Sequence, residues 1–329
     1  MAKITQVVNQ MWQKVFPAEV KEEKIEQSAD NNFKAHLYIS FKPHPNLATP
    51  NLCDFKGDRT EGKKFLEGKN PHVHDCRILA VEEPHTYFID GSCDNILSST
   101  TFIHAFFPAF NGEQSAKRMV NGKTFQSTVH RKSHKYHGCV SYQDVMKKWD
   151  EWRDLGTDLH DNIENFINDD QYTVHEDNKK AFQLFMEFYN DRAFWKWQHY
   201  RTEWAVFDKD TRIAGKIDYC GIDSNGDIVI LDWKRVGNIS DSCFERFLGK
   251  PLVMGFGPCS ELENCNYVTY SLQLNVYKWI IEKNYGMKVR KMYLVQCHPN
   301  IGSPVIYKVP NLQTLIKNMV EARTSIMSN

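Results

Sequence analysis

The sequence predicts an α/β fold, a sheet covered by helices, behind an N-terminal extension. Three observations carry this expectation: a two-stranded hairpin over residues 213–234, amphipathic helices before and after it, and two later strands with a closing helix that would complete and cover the sheet. At 329 residues the chain is long enough for one large domain or two small ones. The patterning divides it into an extension over 1–75 and a domain over 76–329.

Composition narrows the function classes. The formal net charge is zero, so a nucleic-acid site must come from local patches rather than a global field. Nine cysteines, an odd number without any CxxC, point to reduced thiols in an intracellular compartment, cytoplasm or nucleus. They argue against a zinc ribbon or a stapled secreted fold. No stretch approaches the ~20 apolar residues of a membrane span, and the N-terminus lacks a secretory apolar core, so no membrane partner is expected.

In order, residues 2–32 have helical spacing broken by Pro17, and 33–70 are loop-rich with three prolines between Pro43 and Pro50. His72 and His74 in PHVH could be a metal pair, though an HxH alone in a loop is more often incidental. Residues 77–103 read as short strands, then Ser98 to Thr101 offer caps for a helix beginning near Phe102. Tyr87, Phe88, Phe102, Ile103, Phe106, Phe107 and Phe110 read as core aromatics. Between Gln114 and Gln143 there is no acid, while Lys117, Arg118, Lys123, Arg131, Lys132 and Lys135 lie there. Such a stretch suits a phosphate backbone, or is a solvated face, or is a mobile basic lid.

Val145, Trp149, Trp152, Leu155, Leu159, Ile163 and Phe166 keep helical spacing, and Gly156-Thr157 is a point where the helix kinks or restarts, with a second helix over 157–168. His160 and Glu164, four apart, share a face of it. A helix over 177–191 and a strand over 197–208 follow. Glu203, an acid amid Trp204, Val206 and Phe207, reads equally as a functional acid and as a salt-bridge partner.

The hairpin RIAGKIDYCGIDSNGDIVILDWKR is the most informative stretch. Ile228, Ile230, Asp232 and Lys234 share one face of its second strand, and Val229, Leu231 and Trp233 the other. Apolar residues on both faces predict a strand buried on both sides. At the end of such a strand Asp232 and Lys234 are costly to desolvate unless paired, hydrated or on a metal. A two-residue turn at Asn225-Gly226 would set Asp218 against Trp233. A three-residue loop over 224–226, with Gly226 left-handed as a bulge, sets Asp218 opposite Asp232, and this register is the expectation. Paired carboxylates repel, and a divalent cation is the usual remedy; the plain alternative is a surface hairpin with an ordinary Asp–Lys pair. Residues 236–266 are irregular. A helix closed by Gly286 carries Gln273 and Tyr277 four apart, and strands over 291–297 and 305–309 precede a helix over 312–327.

Five elements in order, GTxLHxxIE at His160, Glu203, GKID at Asp218, DWK at Asp232 to Lys234, and QxxxY at Gln273 and Tyr277, together resemble the PD-(D/E)xK nucleases in their RecB-like exonuclease branch, which includes mitochondrial, phage and large-virus enzymes. The usual Pro before the first Asp is absent; Ile217 stands there. The resemblance spans roughly residues 77–310. It implies a restriction-endonuclease-like core with a central mixed sheet. It implies Mg²⁺ or Mn²⁺ held by His160, Asp218, Asp232 and the backbone carbonyl of Trp233, with Glu203 or Glu164 assisting a second ion. Lys234, Gln273 and Tyr277 would act on substrate or water, with Arg235 and the basic stretch on nucleic acid. Relatives with an iron-sulfur cluster use four cysteines; Cys259 and Cys265 do not meet that spacing, and no cluster is expected. The implied activity is phosphodiester hydrolysis of DNA leaving 5′-phosphates, on single strands or free ends. The competing readings are a non-catalytic nucleic-acid-binding protein on the same fold and an RNA-directed nuclease.

Overall fold

The computed structural model describes residues 64–81, 85–191, 196–242, 249 and 251–327. The helical spacing over 2–32 and most of the loop-rich 33–70 lie outside the described residues. The elements are α1 (Phe65–Lys69), β1 (Ile78–Val81), β2 (Thr86–Ile89), β3 (Leu97–Ser98), α2 (Ser99–His104), α3 (Gly112–Val120), α4 (Lys123–Thr128), α5 (Tyr142–Ile167), α6 (Lys179–Asn190), β4 (Gln198–Asp208), β5 (Ile213–Ile222), β6 (Ile228–Lys234), α7 (Asn266–Asn284), β7 (Val289–Gln296), β8 (Val305–Lys308) and α8 (Gln313–Met327).

The main sheet is mixed, and β5 is its spine. One edge of β5 pairs antiparallel with β4, from Gln198↔Ile222 to Asp208↔Ile213. The other edge has two partners: β3, parallel, at Ile213 and Ala214, and β6, antiparallel, from Tyr219 to Ile222. Residues 215–218 lie between them on that edge, so the sheet forks there. β7 runs parallel to β6, and β8 antiparallel to β7. β1 and β2 form a separate antiparallel pair.

Alternation on β6 sorts its side chains into two cores. Ile228 and Ile230 pack with Leu272, Val276 and Ile280 of α7 and Phe102 and Ile103 of α2. Val229, Leu231 and Trp233 pack with Leu159 and Ile163 of α5 and Leu184, Phe185 and Phe188 of α6. Helices therefore cover both faces, as a strand apolar on both sides requires. Full burial of each such side chain stabilises the fold by about 1.5–3 kcal/mol. The hairpin has the three-residue register: Ile222 faces Ile228, Tyr219 faces Leu231, and Gly226 is left-handed at φ 79°.

Several expectations are corrected. No break occurs at Gly156: α5 is one helix of 26 residues, opened by a capping box in which Ser141 and Asp144 satisfy each other's backbone N–H groups. An added Cβ at Gly156 would meet nothing within 4 Å, so neither packing nor backbone demands a kink. The helix expected near Phe102 begins at Ser99, because Ser98 accepts the Thr101 N–H at 3.0 Å and is the cap. Phe110 is no core residue; it is 75% exposed. The acid-free stretch is folded: α3, α4 and the segment to Cys139 bury Ala116, Phe125 and Tyr136 against Val145 of α5.

Residues 64–75 are fastened to β4. Arg201 donates to Asp75 at 2.7 Å and to the Asn70 carbonyl at 3.1 Å, and Trp204 donates to Asp75 at 3.1 Å. Leu66 is buried with α5 and α6. The PHVH histidines are packing groups: His72 stacks on Tyr285 at 4.6 Å, and His74 Nε2 lies 3.2 Å from the Asn284 carbonyl oxygen. Among the described residues no helix is long and apolar enough to cross a membrane.

Candidate active site

The register places one carboxylate on each of three neighbouring strands. Thr202 faces Tyr219 and Trp204 faces Ile217, so Glu203 on β4 stands opposite Asp218 on β5. The β5–β6 register, continued one step past Tyr219↔Leu231, sets Asp232 opposite Asp218 on the other side. Face alternation slips at this point, because Ile217 packs in the α7 core and Tyr219 in the α5–α6 core. By register Glu203, Asp218 and Asp232 stand in a row across the fork, with His160 against Glu203 and Asp218, and with Lys234 and Tyr270 of α7 beside Asp232. Glu203 holds its place with φ at 42°, a left-handed backbone that is uncommon for a non-glycine residue and that clusters at functional sites.

Side chains reach the row from both helical layers. From α5, His160 Nε2–H donates to the Trp233 carbonyl oxygen at 3.0 Å. A carbonyl only accepts, so Nδ1 is left facing the acids, 3.4 Å from Asp218 Oδ2 and 3.7 Å from Glu203 Oε1. Burial disfavours the imidazolium, but the Asp218 charge and the Glu203 carboxylate outweigh it and raise His160 to about 9. Asp218 Oδ2 also accepts the Trp233 N–H at 2.8 Å, where the ladder would otherwise continue. Burial pushes the Asp218 carboxyl up, and the neighbouring Asp232 charge adds to it. Burial works against Glu203 as well, but His160 and Lys216 hold its carboxyl below the usual range. Glu164, one turn beyond His160, accepts from Thr202 at 3.3 Å and is raised to about 7 by burial and by Glu203.

The expected trio was His160, Asp218 and Asp232. The trio whose ligand atoms lie within 4.8 Å of one another is His160, Glu203 and Asp218. Asp232 is turned toward Lys234, whose Nζ lies 2.6 Å from Oδ2. Asp232 is 1% exposed, and among the described residues its carboxylate oxygens meet no donor besides Lys234. A buried carboxylate with lone pairs unmet, beside two acids and an imidazole nitrogen, fits a hard divalent cation. Burial opposes the Lys234 charge, but Asp232 and Asp218 hold its ammonium above the ordinary value.

The α7 layer supplies the remaining groups. Gln273 Nε2 donates to the Tyr277 hydroxyl at 2.9 Å, and Ser99 Oγ donates to the same oxygen at 3.2 Å. The two rest against Gly215, where a Cβ would lie 2.5 Å from Tyr277 Cε1 and 2.8 Å from Ser99 Oγ. Only a residue without a side chain fits under that pair.

Two groups at the site escaped the sequence reading. Lys216 Nζ lies 3.1 Å from Glu203 Oε2; its position two before Asp218, on the same face, was the available signal. Tyr270 lies with the Lys234 ammonium over its ring, 4.5 Å from the centroid, and it precedes Gln273 by three and Tyr277 by seven, one helical face. Arg235 donates from Nε to Asn178 and from Nη2 to the Asp177 carbonyl, and so is engaged with the turn before α6. Lys117 pairs with Glu113, while Arg118, Lys123, Arg131, Lys132 and Lys135 are exposed. Cys259 and Cys265 are buried free thiols in the α7 core.

No protein-family model matches the chain, and no curated protein does. Among solved structures, a crystal structure of a proposed exonuclease from Eubacterium rectale is similar at 18% sequence identity, over 66% of this chain and 83% of that one, with a TM-score of 0.34. A likeness that shallow fixes neither a fold family nor an activity.

Proposed function

We propose that the chain is a metal-dependent DNA nuclease of the PD-(D/E)xK type, an exonuclease preferring single strands or free ends in DNA replication, repair or recombination. It would hydrolyse phosphodiesters to leave 5′-phosphates. The observation that carries the reading is the row Glu203, Asp218 and Asp232, one acid per strand, with His160 over it and Lys234 beside it.

His160 Nδ1, Glu203, Asp218 and Asp232 would hold Mg²⁺ or Mn²⁺; the Trp233 carbonyl, expected as a further ligand, instead accepts from His160 Nε2. When bound, the cation supplies Lewis acidity toward a phosphoryl oxygen and lowers the pKa of a coordinated water. Lys234, beside Asp232, would offset negative charge developing on the phosphoryl group and orient the attacking water. The Trp233 carbonyl fixes the imidazole tautomer that leaves Nδ1 to the acids. Lys216 keeps Glu203 extended toward Asp218. Gln273, its amide N–H groups directed by Tyr277, hydrogen-bonds substrate at the mouth of the fork.

The test is cleavage of end-labelled single- and double-stranded DNA with Mg²⁺ or Mn²⁺, with EDTA, and with Asp232→Asn. Hydrolysis that needs the metal and vanishes in the variant is the expected result; equal cleavage in EDTA, or a fully active variant, sinks the reading. Labelled RNA as competitor separates a DNA enzyme from an RNA one. Neutralising Arg131, Lys132 and Lys135 together should weaken single-strand binding and flatten its logarithmic salt slope by about 2, three phosphate contacts' worth.

A further inference from the structure

The acid-free stretch has an aromatic ring at its root that faces solvent. Phe110 is 75% exposed, and Trp149 of α5 stands behind it with ring centroids 6.0 Å apart. Trp149 is itself fixed, because its indole N–H donates to the Tyr136 hydroxyl at 2.9 Å. Gly112 sits between the two rings; a Cβ there would be 3.5 Å from Phe110 and 3.6 Å from Trp149. Phe110 is therefore held from one side and open on the other. A lone exposed phenylalanine is ordinary, but this one is built onto a rigid support, and Lys135 lies over the ring of the Tyr136 that holds Trp149. Arg118, Lys123, Arg131, Lys132 and Lys135 are exposed, and among the described residues none is in an ion pair.

We propose that Phe110 is a stacking post for one base of single-stranded nucleic acid, whose phosphates follow the cations of α3, α4 and the segment after them. A flat apolar face gives a base its partner whatever its identity, and cations nearby take the backbone. Charge complementarity selects this occupant over an apolar protein segment: Glu113, the acid nearest in sequence, is paired with Lys117, while the five cations beyond it are in no ion pair among the described residues. Trp149 precedes His160 by eleven residues on one helix, so the post stands about 16 Å along α5 from the carboxylate row. A strand stacked there would thread toward the fork. The proposal rests on the nucleic-acid reading above but not on catalysis.

The experiment is fluorescence-anisotropy binding of a short single-stranded oligothymidylate in EDTA, where no cleavage occurs. Wild type should bind; Phe110→Ala should bind about tenfold more weakly, the loss of one stacked base, and Phe110→Trp should bind as wild type. The salt slope should be the same for Phe110→Ala as for wild type, since no phosphate contact is removed. Oligonucleotides with an abasic unit at successive positions should reveal one position that weakens wild type and leaves Phe110→Ala unchanged. The proposal is overturned if wild type does not bind, if Phe110→Ala binds as wild type, or if its weaker binding comes with a lowered melting temperature. Failure of cleavage with Mg²⁺ or Mn²⁺ while these binding results hold would remove the nuclease reading and keep the stacking post.

Discussion

Glu203 faces Asp218 across the β4–β5 ladder, with its backbone in the left-handed region and its carboxylate 3.7 Å from the imidazole that also meets Asp218. Three acids in a row, two of them inaccessible or nearly so, are an arrangement that a chain without a cation would not favour. The cost should be measurable. In EDTA, Asp218→Asn removes the middle charge and should raise stability by on the order of 1 kcal/mol, read as a higher urea midpoint at unchanged slope. With Mn²⁺ the order should reverse, since wild type gains ligand-linked stability that the variant lacks. A variant that responds to Mn²⁺ as wild type does would remove Asp218 from the cation site.

Lys234 is the counter-ion of a buried carboxylate. Removing one partner of such a pair leaves the other uncompensated, so Lys234→Ala in EDTA should lose about 3 kcal/mol of stability. Saturating Mn²⁺ should return part of that loss, because Asp232 then has a cation, while cleavage stays at least a hundredfold down. Tyr270→Phe keeps the ring under the ammonium and should cleave normally; Tyr270→Leu removes a contact of about 1 kcal/mol and should cleave several-fold more slowly.

Gly215→Ala is expected to be expensive for its size. The added methyl must displace Tyr277 and Ser99, an overpacking cost of about 1–3 kcal/mol. Chemical denaturation gives the stability, and single-turnover cleavage shows whether displacing Tyr277 also disturbs Gln273. A neutral effect on both would mean that α7 slides freely over the fork.

Asp208 gives a prediction about pH away from the site. It is buried and accepts from Lys283 at 2.7 Å, from Thr211 and from Asn284. Burial raises its carboxyl, but these bonds outweigh it, so its folded pKa lies below its ordinary value. The folded state then binds fewer protons than the unfolded one, and the stabilisation is present above pH about 4 and lost as pH falls through the folded value. Asp208→Asn should lower stability at neutral pH and flatten its decline below pH 4, followed by urea midpoints across pH.

The hairpin was legible because period-two burial leaves little freedom. With Ile228, Ile230 and Ile222 committed to one core and Val229 and Leu231 to the other, a slip by one residue would swap the two sets between cores shaped for the other, and Gly226 supplied the turn that sets the count. The position of Glu203 was legible in principle. A four-residue loop over 209–212 that leaves Asp208 opposite Ile213 carries Glu203 to Asp218, and the register shift between His199 and Arg201 lies beyond that pair, but 209–212 has no Asn-Gly signal to fix the loop length. The continuity of α5 was not legible. Gly156 lowers helix propensity locally, and the packing of Leu159 and Ile163 beneath it overrides that preference. The exposure of Phe110 was hidden because an aromatic next to other aromatics reads as core until its neighbours' directions are known.

The unbroken α5 has one further consequence. Trp149 and His160 belong to the same rigid rod, so their angular phase is set by covalent geometry rather than by domain movement. A single alanine inserted between them would swing one against the other by about 100°, while seven would restore the phase and lengthen the span by about 10 Å. If strands are measured between the basic outpost and the hydrolytic centre, product lengths should follow the second insertion, and the first should uncouple the two ends altogether.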